Sequence, residues 1–351
     1  MLKPNRRTFL RSMAAGAMAA GTNRAFSEPL WMQAASGARP LGPDPLPDNE
    51  AHLPQIKAEP WLRVDPGSVV LKGMAFDRHD NLFVIASYPG ENDKGLAGRL
   101  DRAILRISPG KEITTVLKKH GLRLCDHAIH KDGRIFIVCL TGELLAIQPD
   151  GSGLTTISSR WNGKPEELSD LTFDKHGALY VTDFTGKPGD PTGGVYRWSA
   201  DFATVEPFGP KLVSPNGIAF THDESALWVS CSFDKKLVQL NLSSDRGSVT
   251  GIGATYGLSG TGGDGLRVDK KDNVYLAMNF QGRYMVFNAK GKPVANILLP
   301  GRERGALLAS PNLAFRPGTD EVYVVASGDV GGTWIYRFRG LAEGLPLYSH
   351  L

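Results

Sequence analysis

Two glycine-flanked side chains in the second half of the chain carry the oxygen atoms that a hard cation or a polar ligand would need. Asn216 is followed by Gly217, and Asp264 is followed by Gly265. Glycine lets a ligand or a neighbouring backbone approach closely, and carboxylate and amide oxygens are the ligands that Ca²⁺ prefers in proteins. Both residue types are also common turn formers, so spacing alone leaves a purely structural role at strand entries open.

A repeated unit provides the elements that would position these two side chains. The pattern is an apolar strand, a turn that contains Asp with Gly or Asn, and a second apolar strand. The turn residues tolerate positive φ between paired strands. One apolar marker residue in the first strand of each copy recurs every 44 to 53 residues. The six markers are Phe76, Ile129, Phe173, Phe220, Val268 and Phe315.

A period in the forties with two hairpins per unit is typical of the four-stranded blades of β-propellers. Six such blades need about 290 residues, which is the length that remains of the 351-residue chain after an N-terminal segment. The sequence therefore predicts an all-β chain that folds as one six-bladed β-propeller over residues 60–351. An array of β-sandwiches is the alternative, but no change of composition divides the chain into separate domains.

The first strand of each blade lines the central channel, so residues just before the markers should converge at one mouth. We expect Lys72, Asn216 and Asp264 to lie within touching range there. Asp170, His127 and Asn312 lie beside the same level and are candidate substrate contacts, although a lone His at a strand start is more often structural. The positions four residues before the markers are Lys72, Cys125, Ser169, Asn216, Asp264 and Pro311.

Short segments occur in a characteristic order along this region. They are Asp170–Asp174, Tyr180–Phe184, Gly193–Tyr196, Asn216–Ala219, Leu227–Ser230, Asp264–Gly265, Asp272–Met278, Gly282–Arg283 and Leu299–Arg302. In this order and spacing the chain resembles the SMP-30/gluconolactonase/luciferin-regenerating-enzyme-like propellers, and among them the Drp35-type bacterial lactonases. The resemblance spans residues from about 60 to 351.

The resemblance implies a lactone or ester hydrolase that uses one divalent cation, often Ca²⁺, at the channel mouth. Asn216 and Asp264 match two metal ligands of the family, and Asp264 also matches the base or nucleophile. The metal would polarise the lactone carbonyl and stabilise the oxyanion.

Two departures from the family pattern affect the predicted metal site. Where the family carries a metal-binding Glu before the glycine of the first blade, this chain has Lys72, and Ser169 replaces an Asn or Asp of the third blade. A single positive charge about 4 Å from a divalent cation is repelled by roughly 8 kcal/mol at an effective dielectric constant of about 20. Lys72 and a tightly held cation are therefore nearly exclusive. Lys72 replaces the metal by pairing with Asp264, acts as a tuned base or nucleophile, or extends to the rim and has no role.

Two functions of different classes are compatible with these residues. The first is hydrolysis of a lactone or similar ester, with Asp264 and Lys72 catalytic and Asn216 and Ser169 binding the substrate. The alternative is a non-catalytic periplasmic propeller that binds small molecules and whose metal site has decayed. Condensation of the strictosidine-synthase kind is a more distant third reading.

The N-terminus has the features of an export signal. Arg6 and Arg7 precede a short, weakly apolar run that is too short to span a bilayer. We predict a twin-arginine signal over residues 1–27, a Pro/Gly-rich leader over residues 28–59, and a periplasmic or secreted bacterial protein. An ordinary disordered basic tail is the alternative.

Composition narrows the class of partner. Hydrophobic residues make up 41% and charged residues 22%, as in soluble globular proteins. Five of the 40 basic side chains precede Glu28, and the others nearly balance the 36 acidic ones, so no charge argument supports a nucleic-acid surface. The expected partner is a small molecule. Cys125 and Cys139 flank one hairpin, and the sequence leaves open whether they form a disulfide or stay free.

Overall fold

The computed structural model describes residues 45–64, 67–88, 101–158, 167–328 and 332–351. The predicted twin-arginine signal, residues 1–27, lies outside these ranges. Within them, no helix has the length and hydropathy required to cross a membrane.

The described part consists almost entirely of short strands. One helix, α1 (Asp48–Ala51), and two 3₁₀ turns (Arg302–Arg304 and Tyr348–His350) complete it. The strands are β1 (Gln55–Lys57), β2 (Glu59–Arg63), β3 (Val70–Phe76), β4 (Leu82–Tyr88), β5 (Asp101–Ile107), β6 (Ile113–Lys119), β7 (Leu124–Ile129), β8 (Ile135–Cys139), β9 (Leu144–Ile147), β10 (Thr155–Ser158), β11 (Leu168–Phe173), β12 (Leu179–Asp183), β13 (Gly193–Trp198), β14 (Val205–Leu212), β15 (Pro215–Phe220), β16 (Ala226–Cys231), β17 (Lys236–Leu242), β18 (Val249–Gly257), β19 (Leu266–Val268), β20 (Val274–Met278), β21 (Arg283–Phe287), β22 (Pro293–Leu298), β23 (Leu313–Phe315), β24 (Glu321–Gly328) and β25 (Gly332–Arg339).

The strands form six sheets, which are the blades of a β-propeller. Blades 1 to 4 are β3–β6, β7–β10, β11–β14 and β15–β18, blade 5 is β19–β22 with β1, and blade 6 is β23–β25 with β2. The first strand of each blade contacts the first strand of the next, and β23 contacts β3, so the ring closes around a channel. Each marker residue is the last residue of one of these inner strands. The prediction of a six-bladed propeller is confirmed.

Residues near the N-terminus complete the last two blades. β2 pairs antiparallel with β25, so blade 6 is built from both ends of the described chain. β1 pairs parallel with β22, and blade 5 therefore has five strands where the repeat predicts four. Such pairing covers strand edges that would otherwise be exposed. The end of the segment 28–59, predicted as a leader, thus contributes α1 and β1 to the propeller.

An apolar cluster fills each of the six gaps between neighbouring blades in the described part. The cluster between blades 6 and 1 includes Leu71, Tyr323 and Ile335. Because both faces of a blade are buried, second strands such as β4 and β16 are buried along almost their whole length and consist mostly of apolar residues. The outer strands β6 and β18 are mostly exposed. Packing between blades therefore holds the inner strands at defined positions around the channel.

A buried ion pair joins α1 to blade 5. Arg283 Nη1 lies 2.6 Å from Glu50 Oε2, and both side chains are 0% exposed. Arg283 also donates to Asn296 Oδ1 at 2.8 Å and to Gln281 Oε1 at 2.9 Å. The α1 segment is thus attached to blade 5 by an ion pair whose two charged groups have no access to solvent.

Removal of the Glu50 carboxylate should destabilise the protein strongly. A Glu50→Ala variant leaves the Arg283 guanidinium buried without its counter-charge, which typically costs about 3–5 kcal/mol of unfolding free energy. Denaturation with urea measures the change. The control is Glu59→Ala on the exposed side of β2, which should change the unfolding free energy by less than about 0.5 kcal/mol. Equal effects of the two variants would contradict this role of Glu50.

Candidate active site

Five of the six mouth positions form a chain of side-chain contacts around one end of the channel, which we call the mouth ring (Lys72, Cys125, Ser169, Asn216 and Asp264). Lys72 Nζ lies 3.9 Å from Cys125 Sγ, which lies 3.8 Å from Ser169 Oγ. Ser169 Oγ donates to Asn216 Oδ1 at 2.8 Å. The Asn216 side chain in turn hydrogen-bonds the Asp264 carboxyl group. Blades 1 to 5 thus meet in one ring.

Three members of the mouth ring are open to the channel. Lys72, Asn216 and Asp264 are half-buried, whereas Cys125 and Ser169 are buried. At the sixth position, the Pro311 carbonyl accepts a hydrogen bond from the Gly265 amide at 2.9 Å. The chemistry presented to a ligand is therefore an ammonium, an amide and a carboxylate. Cys125 and Cys139 are both free thiols.

The Asp264 carboxyl group has an unusual acidity. Burial raises its pKa to about 6, against the opposing effects of the nearby Lys72 ammonium and of hydrogen bonds from Asn279 and Asn216. Asn279 Nδ2 donates to Asp264 Oδ2 at 2.8 Å. At neutral pH the group is mostly a carboxylate but is close to its titration point. Such a group is suited to accept a proton from water as a general base.

Irregular pairing in the inner strands places side chains at this level. β3, β7, β11 and β15 each shift register against the second strand of the blade, in β3 between Lys72 and Met74. A bulge bends a strand and re-aims its side chains. Two successive residues of a strand can therefore contribute to two successive layers of the channel.

The second layer consists of side chains that bond to one another across the channel, and we call it the cross-channel layer (Asp126, Asp170, Arg267 and Asn312). Arg267 Nη1 lies 3.2 Å from Asp170 Oδ2, and Nη2 lies 4.0 Å from Asp126 Oδ2. Asn312 donates a hydrogen bond to the Asp126 carboxyl group. These bonds connect blades 2, 3, 5 and 6 through the axis.

The cross-channel layer is close to electrically neutral. Burial and the neighbouring Asp170 raise the pKa of Asp126 well above its usual value, and Arg267 opposes this effect only in part. Asp126 also shares a hydrogen bond with Asp170, which requires a proton on one of the two carboxyl groups. A protonated Asp126 leaves Arg267 and Asp170 as one ion pair. Buried charges are normally paired in this way.

Glycines in two blades make room for the cross-channel layer. A Cβ atom on Gly73 would lie 2.8 Å from Asp126 Oδ1, and Gly73 has a φ of +30°. A Cβ atom on Gly265 would lie 2.9 Å from Asn312 Cγ. Both are contacts that a side chain cannot make without a shift of its neighbours.

The structure separates the site residues predicted from the sequence into two levels. Lys72, Ser169, Asn216 and Asp264 share the mouth ring. Asp170 and Asn312 belong to the cross-channel layer, and the ring of His127 lines a cavity beyond that layer.

Sequence reasoning missed Asp126, Arg267 and Asn279. The repeat does contain a signal for Asp126, because three of the four side chains of the cross-channel layer lie three residues before a marker. The positions three residues before the markers are Gly73, Asp126, Asp170, Gly217, Gly265 and Asn312. Arg267 directly precedes the marker Val268, and Asn279 follows the second strand of blade 5, where the repeat gives no signal.

The mouth ring provides a poor ligand set for the divalent cation that the resemblance implies. Ca²⁺ takes about six to eight oxygen ligands, whereas Asp264 is the ring's single carboxylate and Asn216 Oδ1 already accepts from Ser169. Lys72 lies close enough to Asp264 to lower its pKa. In the described ranges, no group of three His, Cys, Asp or Glu side chains is arranged as metal ligands. These residues do not fit a tightly bound divalent cation.

Comparison with protein families and known sequences gives consistent results. The family model described as the SMP-30/gluconolactonase/LRE-like region matches residues 100–325. The chain is 35% identical to lactonase drp35 of Staphylococcus saprophyticus over 317 residues, which cover 87% of this chain and 94% of that protein. It is 36% identical to lactonase drp35 of Staphylococcus aureus strain N315 over 314 residues, covering 84% and 91%.

Solved structures show the same fold. A luciferin-regenerating enzyme aligns with a TM-score of 0.64 at 17% identity, covering 83% of this chain and 98% of that one. The calcium-binding protein regucalcin from Agrobacterium tumefaciens aligns with a TM-score of 0.64 at 16% identity, covering 84% and 99%. A gluconolactonase from Xanthomonas campestris aligns with a TM-score of 0.61 at 19% identity, covering 80% and 87%.

Substitution of Gly73 should disturb both layers of the channel. A Gly73→Ala variant places a methyl group against Asp126 and must also keep a positive φ. The matched control is Gly121→Ala, where φ is +79° but no atom lies within 4 Å of the new Cβ, so only the backbone cost of about 1–2 kcal/mol applies. Overpacking should cost Gly73→Ala a further 1–3 kcal/mol, roughly. Equal losses of unfolding free energy in urea would contradict this close packing.

Proposed function

Because the chain belongs to the SMP-30/gluconolactonase/LRE-like family, we propose that it hydrolyses a lactone or a related ester at the channel mouth. Relatives that are about one-third identical over most of their length are named lactonases. One observation carries the assignment of the site. A half-buried carboxylate, Asp264, has a pKa of about 6 and lies near an ammonium group, Lys72.

The three accessible residues of the mouth ring divide the reaction between them. The Asp264 carboxylate accepts a proton from water, and the hydroxide oxygen forms a bond to the lactone carbonyl carbon. The Lys72 ammonium donates to the carbonyl oxygen and stabilises the negative charge that develops on it. Asn216 orients Asp264 through their hydrogen bond, and the buried Ser169 holds Asn216 by donating to Oδ1 at 2.8 Å.

Collapse of the tetrahedral intermediate completes the reaction. The carbonyl re-forms as the ring C–O bond breaks, and the leaving alkoxide takes the proton held by Asp264. The product is an open-chain hydroxy acid. Its new carboxyl group releases its proton to water, and the resulting carboxylate can pair with Lys72. Asp264 returns to the ionised state, ready for the next substrate.

Lys72 takes over the charge that a metal would supply. A Glu, an Asp and a divalent cation sum to zero, and so do Lys72 and Asp264. An ammonium group cannot act as a Lewis acid as a metal ion does, but it is a strong hydrogen-bond donor in a partly desolvated site. We therefore propose an atypical, metal-independent variant of the family site.

The location of the reaction also remains a proposal. We propose that residues 1–27, with the Arg6–Arg7 pair, direct export of the folded protein by the twin-arginine route. The site would then work on a small molecule in the periplasm or outside the cell.

The pH dependence of lactone hydrolysis tests the role of Asp264. In the wild type, kcat/KM for simple lactones should rise tenfold per pH unit below a pH of about 6 and level off above it, since only the carboxylate is active. Asp264→Asn should lower kcat/KM by about 10²–10⁴ and lose this limb of the profile. The control is Asp150→Asn in an exposed turn, which should behave as the wild type. Absence of lactone turnover at every pH and metal concentration, with ligand binding weakened by Asp264→Asn, would favour the binding propeller instead.

Restoring the acidic residue in the first blade tests the role of Lys72. Lys72→Glu removes the repulsive charge and adds a carboxylate, so this variant should purify with about one Ca²⁺ per chain, whereas the wild type should contain far less than one. Elemental analysis after dialysis against calcium measures both. Lys119→Glu at the exposed end of β6 changes the net charge equally and should bind no additional calcium. Equal, stoichiometric calcium in the wild type and in Lys72→Glu would refute the replacement of the metal by Lys72.

A further inference from the structure

A cavity lies at the end of the channel opposite the mouth ring. Its volume is about 260 Å³, and the last residues of the inner strands form its wall. The wall is largely apolar, with Leu171, Ile218 and Phe315 among its members. The C-terminal segment 345–351 closes it from outside.

The cross-channel layer separates this cavity from the mouth. Arg267 lines the cavity and at the same time lies 3.2 Å from Asp170 and 4.0 Å from Asp126, across the axis. Asn312 fills more of the cross-section by bonding to Asp126. A molecule in the cavity would therefore not share space with a substrate at Asp264.

His127 is a polar group of the cavity wall that lacks a well-formed side-chain hydrogen bond. Its side chain is 1% exposed and lines the cavity, and neither ring nitrogen has a hydrogen-bond partner of good geometry in the described part. Burial and the Arg267 cation lower its pKa to about 3, while a hydrogen bond to the Phe83 carbonyl opposes this effect. The imidazole is therefore neutral. Its N–H is directed at the Phe83 carbonyl, and the other ring nitrogen is left as an acceptor. Buried polar groups are normally satisfied by protein, water or a ligand.

The charged side chains around the cavity already have partners of opposite charge. Arg267 is paired with Asp170. At the rim, Glu224 Oε2 lies 3.4 Å from Arg246 Nε and 3.9 Å from Lys175 Nζ. A charged ligand would have to compete with these pairs after losing its hydration, which is costly. A neutral ligand with one hydroxyl group would instead donate a hydrogen bond to the acceptor nitrogen of His127.

The size of the cavity sets the size of the ligand. An apolar protein cavity of about 150 Å³ can hold benzene. The present cavity, about 260 Å³, is large enough for one ring that carries a short side chain.

The C-terminal segment is attached to several blades by a small number of contacts. The Leu345 amide donates to the Val268 carbonyl at 3.3 Å in blade 5. His350 Nε2 lies 3.2 Å from the Phe76 carbonyl in blade 1, and the Tyr348 ring packs on His130 of blade 2 with centroids 4.9 Å apart. The segment thus crosses the opening as a cover.

We propose that this cavity is a second small-molecule site, which binds a neutral, largely apolar compound through one hydroxyl group to His127 beneath the C-terminal segment. The site is independent of the proposed lactone hydrolysis, because its residues lie on the other side of the cross-channel layer.

Benzyl alcohol, toluene and benzoate are suitable probes for the full chain, with calorimetry and ligand-observed NMR as the measurements. Benzyl alcohol should bind, and toluene should bind about five- to tenfold more weakly because it lacks the group that pairs with His127. Benzoate should not bind. Absence of benzyl alcohol binding to the wild type, or equal affinities for toluene and benzyl alcohol, would overturn the proposal.

Variants locate the bound probe. Ala128→Leu narrows the cavity and should weaken benzyl alcohol binding at least tenfold, roughly, while lactone hydrolysis persists, and the surface control Ala203→Leu should change neither. His127→Phe should equalise the affinities of benzyl alcohol and toluene, and if this variant fails to fold, Ala128→Leu still decides. Asp264→Asn should retain benzyl alcohol binding. An affinity for benzyl alcohol that is unchanged by Ala128→Leu, or lost in Asp264→Asn, would place the probe elsewhere and refute the cavity as its site.

Discussion

The arrangement of the channel depends on a charge that has to be neutralised on the propeller axis. Arg267 extends from blade 5 to the centre of the channel, where its side chain is 11% exposed, and a guanidinium that has lost most of its solvent is stable only if carboxyl groups meet it with good geometry. Asp170 and Asp126 come from blades 3 and 2, so this neutralisation is possible only when the ring of blades is closed. The same contacts divide the channel into a polar mouth and an apolar cavity.

Charges are also balanced at the mouth of the channel, where the Asp264 carboxylate and the Lys72 ammonium are partly solvated. Burial raises the pKa of Asp264, and Lys72 limits that rise. A general base needs a pKa near the working pH, so these two opposing effects suit Asp264 to the role that we propose for it. In that proposal, Lys72 supplies the charge compensation that a metal would otherwise provide, and a carboxylate stays at the centre of the site.

Apolar packing between the blades offsets the free energy that it costs to bury these polar groups. Six apolar clusters surround the channel, and closure of the ring by β2 and β25 makes them mutually supporting. A rigid surround of this kind, together with the hydrogen bonds from Ser169 to Asn216 and from Asn279 to Asp264, holds the mouth side chains in place. It also explains why glycine is required at Gly73, where the backbone of one blade touches the carboxyl group of the next.

The amino-acid sequence was sufficient to predict the six-bladed propeller, because the marker residues and turns recur with a regular spacing and periodicity is a local property. The same register predicted the level at which Lys72, Asn216 and Asp264 lie. The tertiary structure alone showed that Arg267 reaches Asp170 across the axis, that the mouth and the His127 cavity are separate, and that β1 makes a fifth strand in blade 5. Those features depend on bulges, side-chain direction and contacts between residues far apart in the chain, and a repeat pattern carries no information about distances across the ring.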